Sequence, residues 1–320
     1  MILSFVLLLV GFVVLVYGAD KLVDAASGLA ANYGIPNIVI GLTIVAFGTS
    51  APELVVNVFA SVNGSSDIVM GNILGSNIFN VLGILGISAL IYPLTVKSST
   101  TWIEIPLSFL AAIMVLILSS DIVLNSETDE FLTKGDGLVL LMFFLIFIVY
   151  NISVSIKPGE KADEIEVSKY STGQAVLWIL VGLGGLVLGG KLIVDNAVEL
   201  AMSFGLSERV IGLTIVSIGT SMPELATSVA AVRKKKLDIA IGNVVGSNIF
   251  NIFFILGISA TVLPIPISAP NYTDIWMNIL AGLLLFVFIF TGKGRKLERW
   301  EGIIFLGLYV AYLTALILNM

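Results

Sequence analysis

The sequence predicts an all-α integral membrane protein of ten transmembrane helices, built as two inverted five-helix repeats with broken helices at a polar site. Three observations carry that expectation. Of 320 residues, 58% are hydrophobic and 12% charged, and mean hydropathy is +1.07; soluble domains average roughly 25% charged. Two polar motifs each occur twice: residues 41–53 (GLTIVAFGTSAPE) return at 212–224 (GLTIVSIGTSMPE), and 71–80 (GNILGSNIFN) at 242–251 (GNVVGSNIFN). Both copies are displaced by 171 residues (224 − 53 and 251 − 80). Finally, matched apolar runs are flanked by opposite charge.

Apolar runs able to cross a bilayer core of about 30 Å lie near 2–31, 36–60, 67–92, 102–119, 136–154, 172–203, 207–231, 238–263, 273–291 and 300–318. The first run opens without a basic segment, and no small-residue cleavage site follows a short core, so it reads as a spanning helix rather than a removed leader. Strand-type alternation is absent, which argues against a β-barrel. There is no cysteine and no histidine. Their absence excludes disulfides, thiolate chemistry and the usual zinc or copper sites, and with them the side chain most used to carry protons near neutral pH.

Orientation follows from the basic residues. With the N-terminus outside, Lys97, Lys157, Lys161, Lys169, Arg233, Lys234, Lys235, Lys236, Lys293, Arg295, Lys296 and Arg299 all fall in cytoplasmic connections, twelve of the 16 Lys and Arg. Both termini are then outside, in a multi-pass protein of the cell membrane. Five spans per repeat is odd, so the second copy must enter from the opposite side. The loop at 62–65 is uncharged whereas its counterpart at 233–236 is Arg-Lys-Lys-Lys. The connection 121–136 is acidic, whereas its counterpart from 292 opens with Lys293, Arg295, Lys296 and Arg299. The chain divides into repeats at 1–155 and 172–320, joined by a hydrophilic cytoplasmic linker at 156–171 whose mixed charge supports no fold of its own.

In the second span, Gly48 weakens the helix and Pro52 cannot donate to the preceding turn. The span should break near 48–50 and restart with Pro52 in its first turn. Carbonyls freed around Ala46, and around Ser217 in the second copy, then need a cation or a wet cavity. Thr49, Ser50 and Glu53 can face one way, as can Thr220, Ser221 and Glu224. The alternative is a capping box, with Ser50 and Ser221 as N-caps and each glutamate reaching back. A neutral Gln would cap nearly as well, and a charge at mid-membrane costs at least roughly 2.5–3.5 kcal/mol. Keeping Glu twice indicates that the charge is used.

In the third span Asn72, Ser76 and Asn80 form a polar stripe, repeated in the eighth by Asn243, Ser247 and Asn251. Small-residue packing with interhelical hydrogen bonds explains the glycines and an amide such as Asn77 or Asn248. It explains an oxygen-rich stripe less well. Together the motifs offer carboxylates, hydroxyls, amide oxygens and carbonyls, all hard donors suited to Ca²⁺ with its six to eight oxygens or to Na⁺. A duplicated site of this kind in an apolar chain is the mark of a transporter built at a repeat interface.

These motifs resemble those of the calcium:cation antiporter superfamily, most closely its prokaryotic sodium/calcium exchanger branch. The likeness spans essentially the whole chain. It implies a core of spans 2, 3, 7 and 8 around the ions, with spans 1 and 6 as a long gating pair that slides to alternate access. The glycines of the sixth span at 182, 184, 185, 189 and 190 permit close sliding. Carried over by position, the resemblance implies Glu53, Thr49, Ser50, Ser76, Asn80 and the Ala46 carbonyl as metal ligands from the first half. From the second it implies Glu224, Thr220, Ser221, Ser247, Asn251 and the Ser217 carbonyl. The transported ions would be Ca²⁺ and Na⁺, with no cofactor. Many sodium/calcium exchangers carry Asp where this chain has Asn251, which lowers the greatest site charge from −3 to −2 and leaves the counter-ion open to include H⁺, or K⁺ beside Na⁺.

A passive pore fits broken, duplicated helices less well than alternating access does. An enzyme lacks a credible nucleophile or metal centre without His, Cys or a paired-Asp motif. Membrane lipid is the expected surrounding and no nucleic acid is expected as partner. Oligomeric state stays open, a monomer being sufficient.

Overall fold

The computed structural model describes residues 2–120, 122, 129–156, 170–203, 217–292 and 294–318. The hydrophilic linker at 157–169 lies outside the described residues, as do most of the acidic stretch 121–128, Arg209 and Lys293. The helices are α1 (Ile2–Tyr33), α2 (Asn37–Thr49), α3 (Ala51–Val62), α4 (Ile68–Ile91), α5 (Thr100–Leu118) and α6 (Lys134–Ile156) in the first half. The second half holds α7 (Thr172–Ser203), α8 (Ser217–Thr220), α9 (Met222–Arg233), α10 (Leu237–Val262), α11 (Ala269–Phe288) and α12 (Arg299–Leu318). Among the described residues eight helices are long and apolar enough to cross a membrane, nine if the pair α2 and α3, bent by 49°, counts as one. The expected seventh span is represented by α8 and α9, its start at 204–216 lying outside the described residues.

Two ribbons that no alternation pattern announced join the halves. Strand β1 (Leu94–Thr95) pairs antiparallel with β4 (Lys296–Leu297), and β2 (Phe131–Leu132) with β3 (Ile265–Pro266). Two-residue strands are too short to show a period of two, so the sequence hides them. Each ribbon ties a loop of one half to a loop of the other, and β1 and β3 stand at matched positions (265 − 94 = 171).

The centre of the bundle is α4 and α10, whose spanning windows are 83% and 94% buried, against 17–33% for the other spanning helices. The latter turn apolar flanks outward, as a bilayer allows. At Gly242 in α10 a Cβ would stand 2.8 Å from the Ile38 carbonyl, so only glycine lets α10 approach α2 this closely.

Outside this core, α1 and α7 pack along their length. Lys234, the residue that follows α9, ties α1 to the core: its Nζ lies 2.8 Å from the Asp20 carbonyl, 2.9 Å from Asp24 Oδ1 and 3.2 Å from Asp20 Oδ1. These groups are partly exposed, which limits their worth. Lys234→Gln is expected to lower stability by about 1 kcal/mol, with the loss shrinking at high salt. Thermal unfolding in detergent at two ionic strengths checks this.

Candidate ion-binding site

The site forms where two helices break. Helix α2 runs through Gly48 to Thr49, and the chain leaves helical geometry at Ser50 (φ −82°, ψ 8°). Pro52 then sits in the first turn of α3, where its missing N–H is not needed, and Glu53 follows. The second half repeats this at Ser221 (φ −90°, ψ 8°), Pro223 and Glu224.

Neither serine caps its own helix, so the capping-box alternative does not describe the structure. The hydroxyls cross between halves instead. Ser50 Oγ donates to Glu224 Oε1 at 2.9 Å, while Ser221 Oγ lies 3.2 Å from Glu53 Oε1 and 3.0 Å from Ser76 Oγ. Ser247 Oγ is 3.5 Å from Glu224 Oε1. Thr49 Oγ1 donates to Asn243 Oδ1 at 3.0 Å, and Thr220 Oγ1 accepts from Asn72 Nδ2 at 3.2 Å.

The expectation of a freed carbonyl at Ala46 is not met. That oxygen accepts from the Ser50 N–H at 3.0 Å and lies 3.3 Å from Thr49 Oγ1. Gly48 stays helical and the break falls at Ser50, the far end of the expected 48–50 stretch, so the Ala46 carbonyl keeps its partner. Ser217 opens α8, and its side chain lies outside what the structure describes.

Asn80 and Asn251 sit in matched π-helical turns, Phe79–Leu85 and Phe250–Leu256. Such turns often mark functional positions. The amides of Asn77 and Asn248 each donate to the other's backbone carbonyl at 3.2 Å. Asn80 Nδ2 donates to Asn248 Oδ1 and Asn251 Nδ2 to Asn77 Oδ1, both at 3.0 Å. Asn77 and Asn248 thus do the packing, and in doing so they aim the oxygens of Asn80 and Asn251 elsewhere. Asn77→Ala would strand the Asn251 amide and remove the cross-half donor to the Asn248 carbonyl. At about 1–3 kcal/mol for each buried unpaired group, a loss of roughly 3 kcal/mol is expected in thermal unfolding.

Among the described residues of the repeated motifs four acceptors are left over. Glu53 Oε2, Glu224 Oε2, Asn80 Oδ1 and Asn251 Oδ1 have no hydrogen-bond partner, and each residue is only 1% exposed. Four buried oxygens without donors call for positive charge. Among the described residues no three acidic side chains gather, so the carboxylates here are two.

Sequence reading passed over Asn57 and Ser228, each four residues after a motif glutamate. Asn57 Nδ2 donates to the Glu53 carbonyl at 2.7 Å and to Asn72 Oδ1 at 2.8 Å, and Asn243 Nδ2 donates to Ser228 Oγ at 3.0 Å. The i, i+4 spacing was the available signal. It also passed over three buried or half-buried carboxylates held by hydrogen bonds outside the motifs. Tyr150 donates to Glu104 at 2.5 Å and Tyr312 to Asp274 at 2.7 Å, while Glu301 accepts the Glu298 N–H at 2.6 Å and the Thr291 hydroxyl.

An apolar helix bundle around buried oxygens is the plan of a membrane transporter, not of an enzyme, and comparison with known proteins agrees. The family described as "Sodium/calcium exchanger protein" matches residues 3–153 and 174–318. The putative antiporter CaxA of Alkalimonas amylolytica is 38% identical over 324 residues, covering 98% of each chain. The sodium/calcium exchanger MaX1 of Methanosarcina acetivorans is 32% identical over 345 residues, again covering 98% of each. A solved structure of the sodium-calcium exchanger NCX_Mj superposes with a TM-score of 0.85 at 31% identity, covering 98% of this chain and 99% of that one. The chain belongs to the sodium/calcium exchanger family and is a multi-pass membrane antiporter.

Proposed function

We propose that this protein exchanges Ca²⁺ for Na⁺ by alternating access, at a mid-membrane oxygen site between two inverted five-helix repeats (1–155 and 172–320). The four partnerless oxygens of Glu53, Glu224, Asn80 and Asn251 carry this reading. They are acceptors only, so a cation suits them and a hydrogen-bonding solute does not. Ca²⁺ takes six to eight oxygens at about 2.3–2.6 Å. The hydroxyls of Thr49, Thr220, Ser50, Ser221, Ser76 and Ser247 complete the set, with the Ser217 carbonyl and the second lone pair of the Ala46 carbonyl, whose first is taken by the Ser50 N–H. Loading requires the hydroxyls that now donate to carboxylates to turn their protons aside and present lone pairs. Two carboxylates neutralise one Ca²⁺ or two Na⁺, and that equivalence makes the ions compete. With Asn251 in place of a third acid, a third Na⁺ would enter against uncompensated charge. The pair α1 and α7 moves across the core to open each side in turn, and both termini lie outside.

The test is ⁴⁵Ca²⁺ uptake by purified protein in liposomes under separately imposed Na⁺, K⁺ and pH gradients. Uptake is expected to follow an outward Na⁺ gradient. Uptake that ignores Na⁺ and follows the pH gradient would replace Na⁺ by H⁺ as counter-ion.

A further inference from the structure

The two halves of the core stand differently to the α1–α7 pair. Those helices cross at matched glycines. A Cβ at Gly11 would meet the Gly189 carbonyl at 3.0 Å and one at Gly189 the Gly11 carbonyl at 2.8 Å; Gly18 and Gly182 meet in the same way at 2.8 and 2.9 Å. Gly182 and Gly189 follow Gly11 and Gly18 by 171 residues (182 − 11 and 189 − 18), so the repeat keeps its register through this pair. A symmetric molecule would then pack α7 on α3 as it packs α1 on α9. Here α1 lies along α9, whereas α7 barely meets α3.

Side chains at the two ends differ in the same sense. Lys234 follows α9 and reaches three acceptors of α1: the Asp20 carbonyl at 2.8 Å, Asp24 Oδ1 at 2.9 Å and Asp20 Oδ1 at 3.2 Å. Its counterpart after α3 is Asn63 (234 − 171 = 63), exposed and uncharged. The counterparts of Asp20 and Asp24 are Lys191 and Asp195, which pair with each other at 3.9 Å and are more than half exposed. Charge thus ties α1 to the core at one end of the bundle, and no such tie holds α7 at the other among the described residues. Packed and tied at one end, parted at the other, is one of the two states that alternating access requires.

We propose that Lys234 is a latch that holds its own end of the passage shut, the cytoplasmic end in the orientation given by the basic residues, and so biases the protein towards the state open at the opposite end. Opening the latched end carries α1 away from α9 and breaks all three contacts. The contacts stabilise one state and add nothing to the other, which is the condition for shifting a two-state equilibrium. The bias lies in residues that differ between the repeats, Lys234 against Asn63 and Asp20 against Lys191. The inference rests on the alternating movement of α1 and α7 proposed above, and not on which ions are carried.

The chain has no cysteine, so a single introduced thiol reports on its own position. Ser27 lies about one turn beyond Asp24, on the face of α1 that carries Asp20 and Asp24, and its hydroxyl is buried. The measurement is the rate at which a membrane-impermeant maleimide modifies the purified Ser27→Cys chain in detergent, where both ends are reached. Adding Lys234→Gln should raise that rate about fivefold, equivalent to about 1 kcal/mol of partly exposed ion pairing. Fraying of α1 alone would raise it too, but would not respond to the other end of the molecule. Asn63→Lys with Lys191→Asp builds the matching latch there. With Lys234 intact, that pair of changes should also raise the Ser27→Cys rate, by about threefold or more. A rate unchanged by Lys234→Gln, or indifferent to the latch built at the far end, would overturn the proposal. Rates that follow this pattern in a protein that exchanges no Ca²⁺ for Na⁺ would remove the exchange reading and leave the latch standing.

Discussion

Replacing Glu53 or Glu224 by Gln is expected to abolish sodium-driven Ca²⁺ uptake while leaving the protein folded. The glutamine keeps the shape, and its carbonyl oxygen still accepts from Ser221 or Ser50, the partners of the two carboxylates now. The change falls on Oε2, the acceptor without a donor on each glutamate, which becomes an NH₂ facing the cation. Removing one partner from a buried charge pair costs about 3–5 kcal/mol. At about 1.4 kcal/mol per factor of ten, Ca²⁺ binding and uptake should fall by roughly a hundredfold to several thousandfold. Binding and flux on the same preparations check this. Either variant retaining a tenth of the original uptake would show that its carboxylate is not a ligand.

Gly189→Val should stop transport for a different reason. A Cβ at Gly189 would stand 2.6 Å from the Leu15 backbone nitrogen and 2.8 Å from the Gly11 carbonyl. Both are backbone atoms of α1 and cannot swing aside, so α1 and α7 must separate. Overpacking of this kind costs typically about 1–3 kcal/mol. The pair would also lose the smooth contact that sliding needs. Uptake is expected to fall by at least about tenfold while equilibrium Ca²⁺ binding, which lies on other helices, changes little. Gly184→Ala is the control, because Gly184 is exposed and a Cβ there meets no described neighbour within 4 Å. Normal uptake by Gly189→Val would contradict a moving α1–α7 pair.

The helices and the motif residues were legible because polar groups stand out in so apolar a chain, and duplication marked which of them mattered. What Ser50 does was not legible. Ser-x-x-Glu spacing satisfies a local cap as well as a cross-half hydrogen bond, and only the approach of α9 to the break in α2 decides between them. The Ala46 carbonyl was misjudged because a break anywhere in 48–50 fits the glycine and the proline, and it frees that carbonyl only if it comes before Ser50, whose N–H still reaches back to it. Asn57 and Ser228 escaped notice because they differ between the copies, so a reading guided by repetition passes over them. Glu104, Asp274 and Glu301 belong to no repeated motif; the tyrosine partners of the first two lie 46 and 38 residues away, whereas the Glu298–Glu301 contact has capping-box spacing and could have been found.

The central claim is that Ca²⁺ and Na⁺ share one set of oxygens around Glu53 and Glu224. The most direct measurement is ⁴⁵Ca²⁺ bound to the purified protein at fixed Ca²⁺ as Na⁺ is raised, with ionic strength held constant by a large organic cation. Shared oxygens predict complete displacement, with the Na⁺ needed for half-displacement rising as Ca²⁺ is raised. Calcium that stays bound at saturating Na⁺ would contradict it.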